Sequence, residues 1–232
     1  MILDPEVQQL VDEVWSRYDA EKNMLEQTLE EHKFFSEIFG SFLGVFSVLK
    51  TRFEAGGRLF LCGNGGSCAD CIHIAGELMK TFKLPRPLSV ARKACFAGLE
   101  FEEQLTAYLQ EGLPCHVLGL NPGLASAIQN DNTFSGLQYA QELYGQGKAG
   151  DVLLGISTSG NALNVRYAAS VAKALGMTVI ALTGSGGGEL AKHADRAIRV
   201  PETETYKVQE QHLIVYHTLC MWLELRFFAA PD

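Results

Sequence analysis

Arg58-Leu59-Phe60-Leu61-Cys62-Gly63-Asn64-Gly65-Gly66-Ser67 decides the fold: a short apolar run passes into a turn made of the smallest residues, and a helical pattern follows. The same grammar recurs downstream. Asp151 to Ile156 runs into Ser157-Thr158-Ser159-Gly160-Asn161, and Thr178 to Leu182 runs into Thr183-Gly184-Ser185-Gly186-Gly187-Gly188. Arg196 to Val200 reads as a short fourth strand and Cys115 to Leu120 as a further one, with helical patterns such as Ala162 to Leu175 between them. Strands that alternate with helices imply a parallel sheet covered on both faces, a three-layer α-β-α sandwich.

The N-terminal part differs. Residues 4–54 read as helical, with Asp4 as a cap and Pro5 at the first helical position, where its missing N–H costs nothing. Val7, Leu10, Val11, Val14 and Trp15 follow at helical spacing. Phe34, Phe35, Ile38, Phe39, Phe42, Leu43 and Phe46 form a wide aromatic face that suits either an intramolecular core or a helical subunit interface. The last helix, about Glu204 to Phe228, is apolar along one side. There is no internal repeat, low-complexity tract or domain linker, so 1–232 reads as one domain: helices over 1–54, then an α/β sandwich over 55–232.

Composition sets the outer limits. Of 232 residues, 47% are hydrophobic and 20% charged, which excludes intrinsic disorder and collagen-like repeats. The formal charge of −8 argues against a general nucleic-acid or anionic-membrane binder, which carries a basic stripe. No apolar run approaches the ~20 residues of a membrane span. The opening Met-Ile-Leu-Asp-Pro-Glu has no signal-peptide character, and the six cysteines are too sparse for a disulfide scaffold. The expected location is the cytoplasm, with reduced thiols.

Small residues at the carboxyl ends of parallel strands let backbone N–H groups approach an anion, and a following helix N-terminus adds a favourable field. Asn64, Gly65, Gly66 and Ser67, with the hydroxyls of Ser157, Thr158 and Ser159, are therefore candidate phosphate ligands. Nucleotide signatures fail on spacing: Cys68 stands where a dinucleotide fingerprint has its third glycine, and no Gly-Lys-Ser/Thr exists. Gly155-Ile156-Ser157-Thr158-Ser159 lacks the last glycine of a nucleophile elbow. A phosphate cradle without a nucleotide signature points to a sugar phosphate.

These loops resemble the two signature loops of the sugar isomerase (SIS) domain family, and within it the phosphoheptose isomerases. The resemblance runs in order from about residue 55 to 228. It implies a flavodoxin-like sheet and interconversion of sedoheptulose 7-phosphate with D-glycero-D-manno-heptose 7-phosphate. His73 and Glu77, four apart on the helix after the first loop, would alone be an ordinary surface pair. Gln209, Glu210, His212 and His217 fall on the last helix, where a histidine among apolar residues is commonly core. The resemblance implies instead that His73, Glu77, Gln209 and His217 gather around a zinc ion, that Glu77 and His217 form the acid/base pair, and that Gln209 and the Asn130-Asp131 pair contact substrate. Gln209 and His217 lie about 12 Å apart along a helix. One metal could use both only if long side chains converge, the helix breaks or two subunits contribute. The last is favoured, and the resemblance likewise implies a homotetramer with sites shared between subunits.

Three features depart from the family pattern. Ala162 stands where a serine is usual, and Gly76 replaces an acidic residue. A long segment of about 80–115 carries Lys80, Lys83, Arg86, Arg92 and Lys93 with no acid between Leu78 and Leu99; it reads as a solvated loop or as a lid or neighbour contact. Cys68 and Cys71 form a lone C-x-x-C, too little for a metal knuckle. Two other functions share the loops. One is a non-catalytic SIS protein that binds a phosphosugar or associates with the bacterial replication initiator; the other is a regulator, for which no DNA-binding domain is visible. Retention of all four residues favours the enzyme.

Overall fold

A computed structural model describes residues 5–229; Asp4, expected as the first helix cap, lies outside them. Three N-terminal helices, α1 (Pro5–Arg17), α2 (Asp19–Glu31) and α3 (Phe35–Glu54), lead into strand β1 (Leu59–Gly63). Next come α4 (Gly66–Met79), two short helices α5 (Val90–Ala94) and α6 (Glu102–Tyr108), and the three-residue strand β2 (Cys115–Val117). Helices α7 (Pro122–Asp131) and α8 (Gln138–Gln146) precede β3 (Val152–Ile156), α9 (Leu163–Ala174) and β4 (Thr178–Thr183). The chain ends with α10 (Gly188–His193), β5 (Arg196–Arg199) and the long α11 (Thr205–Phe228).

The five strands form one parallel sheet in the order β2-β1-β3-β4-β5. β1 and β3 are buried throughout, and so is β4 apart from its first residue, which is why they read as unbroken apolar runs. Two cores fill the two faces. On one, α3, α4 and α11 pack Phe42, Phe46, Leu78, Val215 and Trp222 against Leu59, Leu61 and Ile156. On the other, α8 and α9 pack Leu143, Val165 and Ala169 against Phe60, Leu153 and Val179. The result is a three-layer α-β-α sandwich.

The aromatic face of α3 turns inward. Phe35, Phe42 and Phe46 are wholly buried, and Phe46 stacks on Trp222 of α11 with ring centroids 3.5 Å apart. Glu21 of α2 locks the same seam: it accepts from Trp222 Nε1 at 2.6 Å and from Arg226 through Nε and Nη2, both at 2.7 Å.

The strand order reverses direction between β1 and β3, which are paired with Leu59 opposite Val152 and Gly63 opposite Ile156. In an open parallel sheet this switch point opens a crevice at the carboxyl ends of the strands. The Gly63–Ser67 and Ser157–Asn161 loops stand on its two sides. No helix among the described residues is long and apolar enough to cross a membrane.

Candidate functional site

The site is an elongated seam between α4 and α11, which run side by side from the switch-point loops outward. At its inner end, Gly65 adopts φ +55°, ψ −121°, a conformation for which glycine is suited, and thereby starts α4. Ser67 is buried and its N–H donates to the Asn64 carbonyl at 3.0 Å. Tyr139 anchors the turn from α8, its hydroxyl donating to the Gly63 carbonyl at 2.6 Å and lying 3.2 Å from Asn64 Oδ1. Asn64 and Asn164 exchange reciprocal amide hydrogen bonds of 2.9 and 2.8 Å across the crevice. A Cβ on Gly66 would run into Gln209 Nε2 of α11, so that glycine makes room for the glutamine.

The second loop presents a buried Ser157, a half-buried Thr158 and an exposed Ser159. Ser159 Oγ accepts from the Asn161 N–H at 3.2 Å. The third glycine-rich loop does not build a cradle of its own. Gly184 N–H donates to the Thr158 carbonyl, Leu190 N–H donates to the Gly160 carbonyl, and Asn161 Oδ1 accepts from Glu189 N–H, so this loop buttresses the second one from behind.

Two turns along α4 the chemistry changes. His73 Nε2 lies 3.1 Å from Glu77 Oε1 and 3.5 Å from His217 Nε2. The i, i+4 spacing on α4 and the packing of α11 thus bring three expected residues together within one chain. Glu77 is largely buried, with 15% of its side chain exposed against 45% for His73. Burial, and then the charge of neighbouring His73, hold His217 below the ordinary imidazole pKa, against the opposing pull of Glu77. Phe82 covers His217 with ring centroids 5.7 Å apart.

Gln209 is not with this trio; it sits at the inner end against Gly66, and α11 is unbroken between it and His217. Asn130 and Asp131 end α7 on the exposed surface, where Asn130 Nδ2 donates to Asp131 Oδ1 at 3.0 Å. A tetrahedral zinc with bonds of about 2.0–2.1 Å spaces its ligand atoms about 3.3 Å apart. The 3.1 and 3.5 Å separations bracket that edge, and the nitrogen and oxygen donors suit the ion. Among the described residues no group of three His, Cys, Asp or Glu side chains is placed to hold a metal ion.

Several contributors were invisible in the sequence. Arg86, read as part of a basic stretch that forms either a solvated loop or a lid or neighbour contact, is buried. It donates to the carbonyls of Glu77 and Leu78 at the end of α4 and to Glu224 of α11. Glu224 in turn accepts the N–H groups of Phe82, Lys83 and Leu84. Asp70, Tyr139, Asn164 and Tyr216 also join the site through contacts far apart in sequence, with no local motif to announce them.

Residues 139–222 match the SIS domain family model. The phosphoheptose isomerase of Crocosphaera subtropica is 37% identical over 182 residues, 78% of this chain and 80% of that protein. The chain belongs to the phosphoheptose isomerase family. The fold agrees: the structure of a phosphoheptose isomerase from Francisella tularensis superimposes with a TM-score of 0.68 at 26% identity, covering 88% of this chain and 96% of that one. The phosphoheptose isomerase from Neisseria gonorrhoeae gives 0.65 at 27% identity, covering 93% and 98%. Within the phosphoheptose isomerase family the enzyme class is that of aldose–ketose isomerases of sugar phosphates.

Proposed function

We propose that this protein interconverts sedoheptulose 7-phosphate and D-glycero-D-manno-heptose 7-phosphate through an enediol. The observation that carries the reading is the layout of the seam: phosphate-type loops at the inner end of α4, and His73, Glu77 and His217 about two turns farther along. From Ser67 to His73 the helix rise is roughly 9 Å. That suits a long phosphosugar whose carbonyl lies several carbons from its phosphate, and is too far for a triose.

Asn64, Gly65, Gly66 and Ser67 would hold the phosphate with Ser157, Thr158 and Ser159, while Gln209, Asn130 and Asp131 serve the sugar hydroxyls. Going from ketose to aldose, a proton leaves C1 while the C2 carbonyl oxygen receives one. The enediol then takes a proton at C2 as the C1 hydroxyl gives up its own. Glu77 and His217 are the acid/base pair for these transfers, and Phe82 and Leu78 help exclude water beside them. His73, Glu77 and His217 would hold a zinc ion, which when bound polarises a carbonyl oxygen and offsets developing enediolate charge. A carboxylate shared with a metal is a weaker base, so in this scheme Glu77 would keep one oxygen free of the ion or change role.

Gln209 completes a four-residue zinc set only by swinging along α11 or by serving the site of another copy. The second arrangement is the one a homotetramer with shared sites would supply. Six free cysteines suit a reducing compartment, the cytoplasm.

The test is incubation with sedoheptulose 7-phosphate in deuterated water, with and without zinc, followed by NMR. Aldose carrying deuterium at C2, lost in Glu77→Gln and His217→Ala, is the expected result. Deuterium entering the ketose without net aldose would mean the chemistry is right and the sugar wrong. Phosphate binding with neither exchange nor turnover would defeat the enzymatic reading.

A further inference from the structure

Beyond Arg86 the chain leaves the sandwich and returns through a single neck. Pro87 and Gln110 pair as an antiparallel bridge, and the Glu111 N–H donates to the Arg86 carbonyl at 2.8 Å. The 24 residues from Leu88 to Glu111 form an arm that holds α5 and α6. No residue of either helix is buried, and neither helix packs closely against another element. At five and seven residues they are too short to be stable in water by propensity alone. What they lack is a surface to pack on. The side chains they offer one are apolar: Val90 is 86% exposed and Tyr108 82%, and Leu99, Phe101 and Leu109 are exposed as well. Phe101 is the only residue other than glycine with a positive φ among the described residues, at +64°. That conformation is unfavourable for a bulky side chain, and here it accompanies a ring left in solvent.

The two limbs of the arm carry opposite charge. Arg92 and Lys93 lie on the outgoing limb, and Glu100, Glu102 and Glu103 on the returning one. Glu102 is engaged in the turn, its Oε2 accepting from the Gly98 N–H, and Arg92 reaches Glu111 only at 3.9 Å. The side chains of Lys93, Glu100 and Glu103 have no ion pair or hydrogen bond among the described residues. We propose that the arm docks on the same arm of a second copy of this chain, paired about a two-fold axis. Such an axis sets the basic limb of each copy against the acidic limb of the other, so one complementarity is used twice. The arm's 24 residues fall within the roughly 20–30 that a standard interface takes from each side. With four carboxylates against two cations, the arm is ill suited to an anionic membrane or a nucleic acid. Pairing covers Phe101 and gives α5 and α6 the surface they lack. It is independent of the reaction proposed above.

Two charge reversals in the full chain test the pairing. Arg92→Glu with Lys93→Glu makes the arm wholly acidic, and Glu100→Lys with Glu103→Lys makes it predominantly basic. Hydroxyl-radical labelling of Phe101 and Tyr108 reads whether the arm is covered, so copies held together by other surfaces do not obscure the result. Both side chains are expected to be labelled several-fold less in the native protein than in either variant alone, with circular dichroism unchanged. The two variants unfolded and refolded together should regain much of the native protection, because an acidic arm then meets a basic one. Phe101→Gly, which removes the ring and relieves the backbone, should keep the melting temperature within a few degrees and expose Tyr108 as the reversals do. Equal labelling in the native and variant proteins, or a mixture no better protected than its parents, would overturn the pairing.

Discussion

His212 is where burial weighs most on a single residue. It is fully buried under the end of β4, and among the described residues neither ring nitrogen has a partner in good hydrogen-bond geometry; the nearby Thr183 backbone only partly offsets the loss of water. Burial lowers its pKa to about 4, from an ordinary 6.5. The unfolded chain therefore takes up the proton first as pH falls, so stability is complete above about pH 6.5 and declines towards pH 4. The full span corresponds to about 3 kcal/mol. His212→Leu removes an unpaired polar ring of similar size. Urea unfolding at pH 7 should show stability unchanged or raised, and the loss between pH 6.5 and 4.5 should become shallower; an equally steep loss would assign the acid sensitivity to other groups. Glu77→Gln keeps shape and removes charge, and should lower turnover by about 10²–10⁴-fold with the fold intact, as read by deuterium exchange and by circular dichroism. At this scale the spacing placed His73 and Glu77 on one face of a helix, and only the family resemblance distinguished them from an ordinary surface pair. It was silent on Asp70 and Tyr216, because their meaning arises only where α4 meets α11.

The element that orders the outer end of the seam is the link from α4 to α11 through Arg86 and Glu224. Both are buried, and together they collect three backbone N–H groups of residues 82–84 and two carbonyls from the last turn of α4. Glu224→Ala leaves Arg86 charged and unpaired in the interior, which should cost about 3–5 kcal/mol in urea unfolding. Replacing both partners, Arg86→Met with Glu224→Leu, should recover part of that loss; recovery of none would mean that the backbone N–H groups dominate. The sequence reading of 80–93 as a solvated loop, or as a lid or neighbour contact, fits the exposed Lys80, Lys83, Arg92 and Lys93 but missed the burial of Arg86 for a physical reason. A charge run shows where cations are, while the partner that buries one of them lies 138 residues away. The strands were legible because parallel strands buried on both faces must be continuously apolar. The loops were legible because a switch point needs small residues. At the inner end, Gly66→Ala places a methyl group on Gln209 Nε2 and should raise KM for the phosphosugar several-fold while leaving the melting temperature within a few degrees. An unchanged KM would remove Gln209 from the substrate's surroundings.

At the scale of the whole molecule the question is what one chain can do alone. His73, Glu77 and His217 converge in a single copy, whereas Gln209 stands about 12 Å from His217 along an unbroken helix. These two facts make different predictions for mixed oligomers. Subunits carrying Glu77→Gln and subunits carrying His217→Ala, unfolded and reassembled together, should stay inactive, because no copy then holds an intact pair. Glu77→Gln mixed with Gln209→Ala behaves differently if Gln209 serves a neighbour's metal. An intact glutamine from the first variant then meets an intact Glu77 and His217 from the second, and activity should return to a sizeable fraction of the native level. If Gln209 works in its own chain, that mixture stays as inactive as its parents. Light scattering on each mixture fixes the assembly in the same experiment, and a monomer with full activity would end the shared-site reading outright. The arrangement that makes this test sharp is the fold's own: α4 and α11 lie side by side, so every residue of the seam belongs either to one chain's pair of helices or to another's.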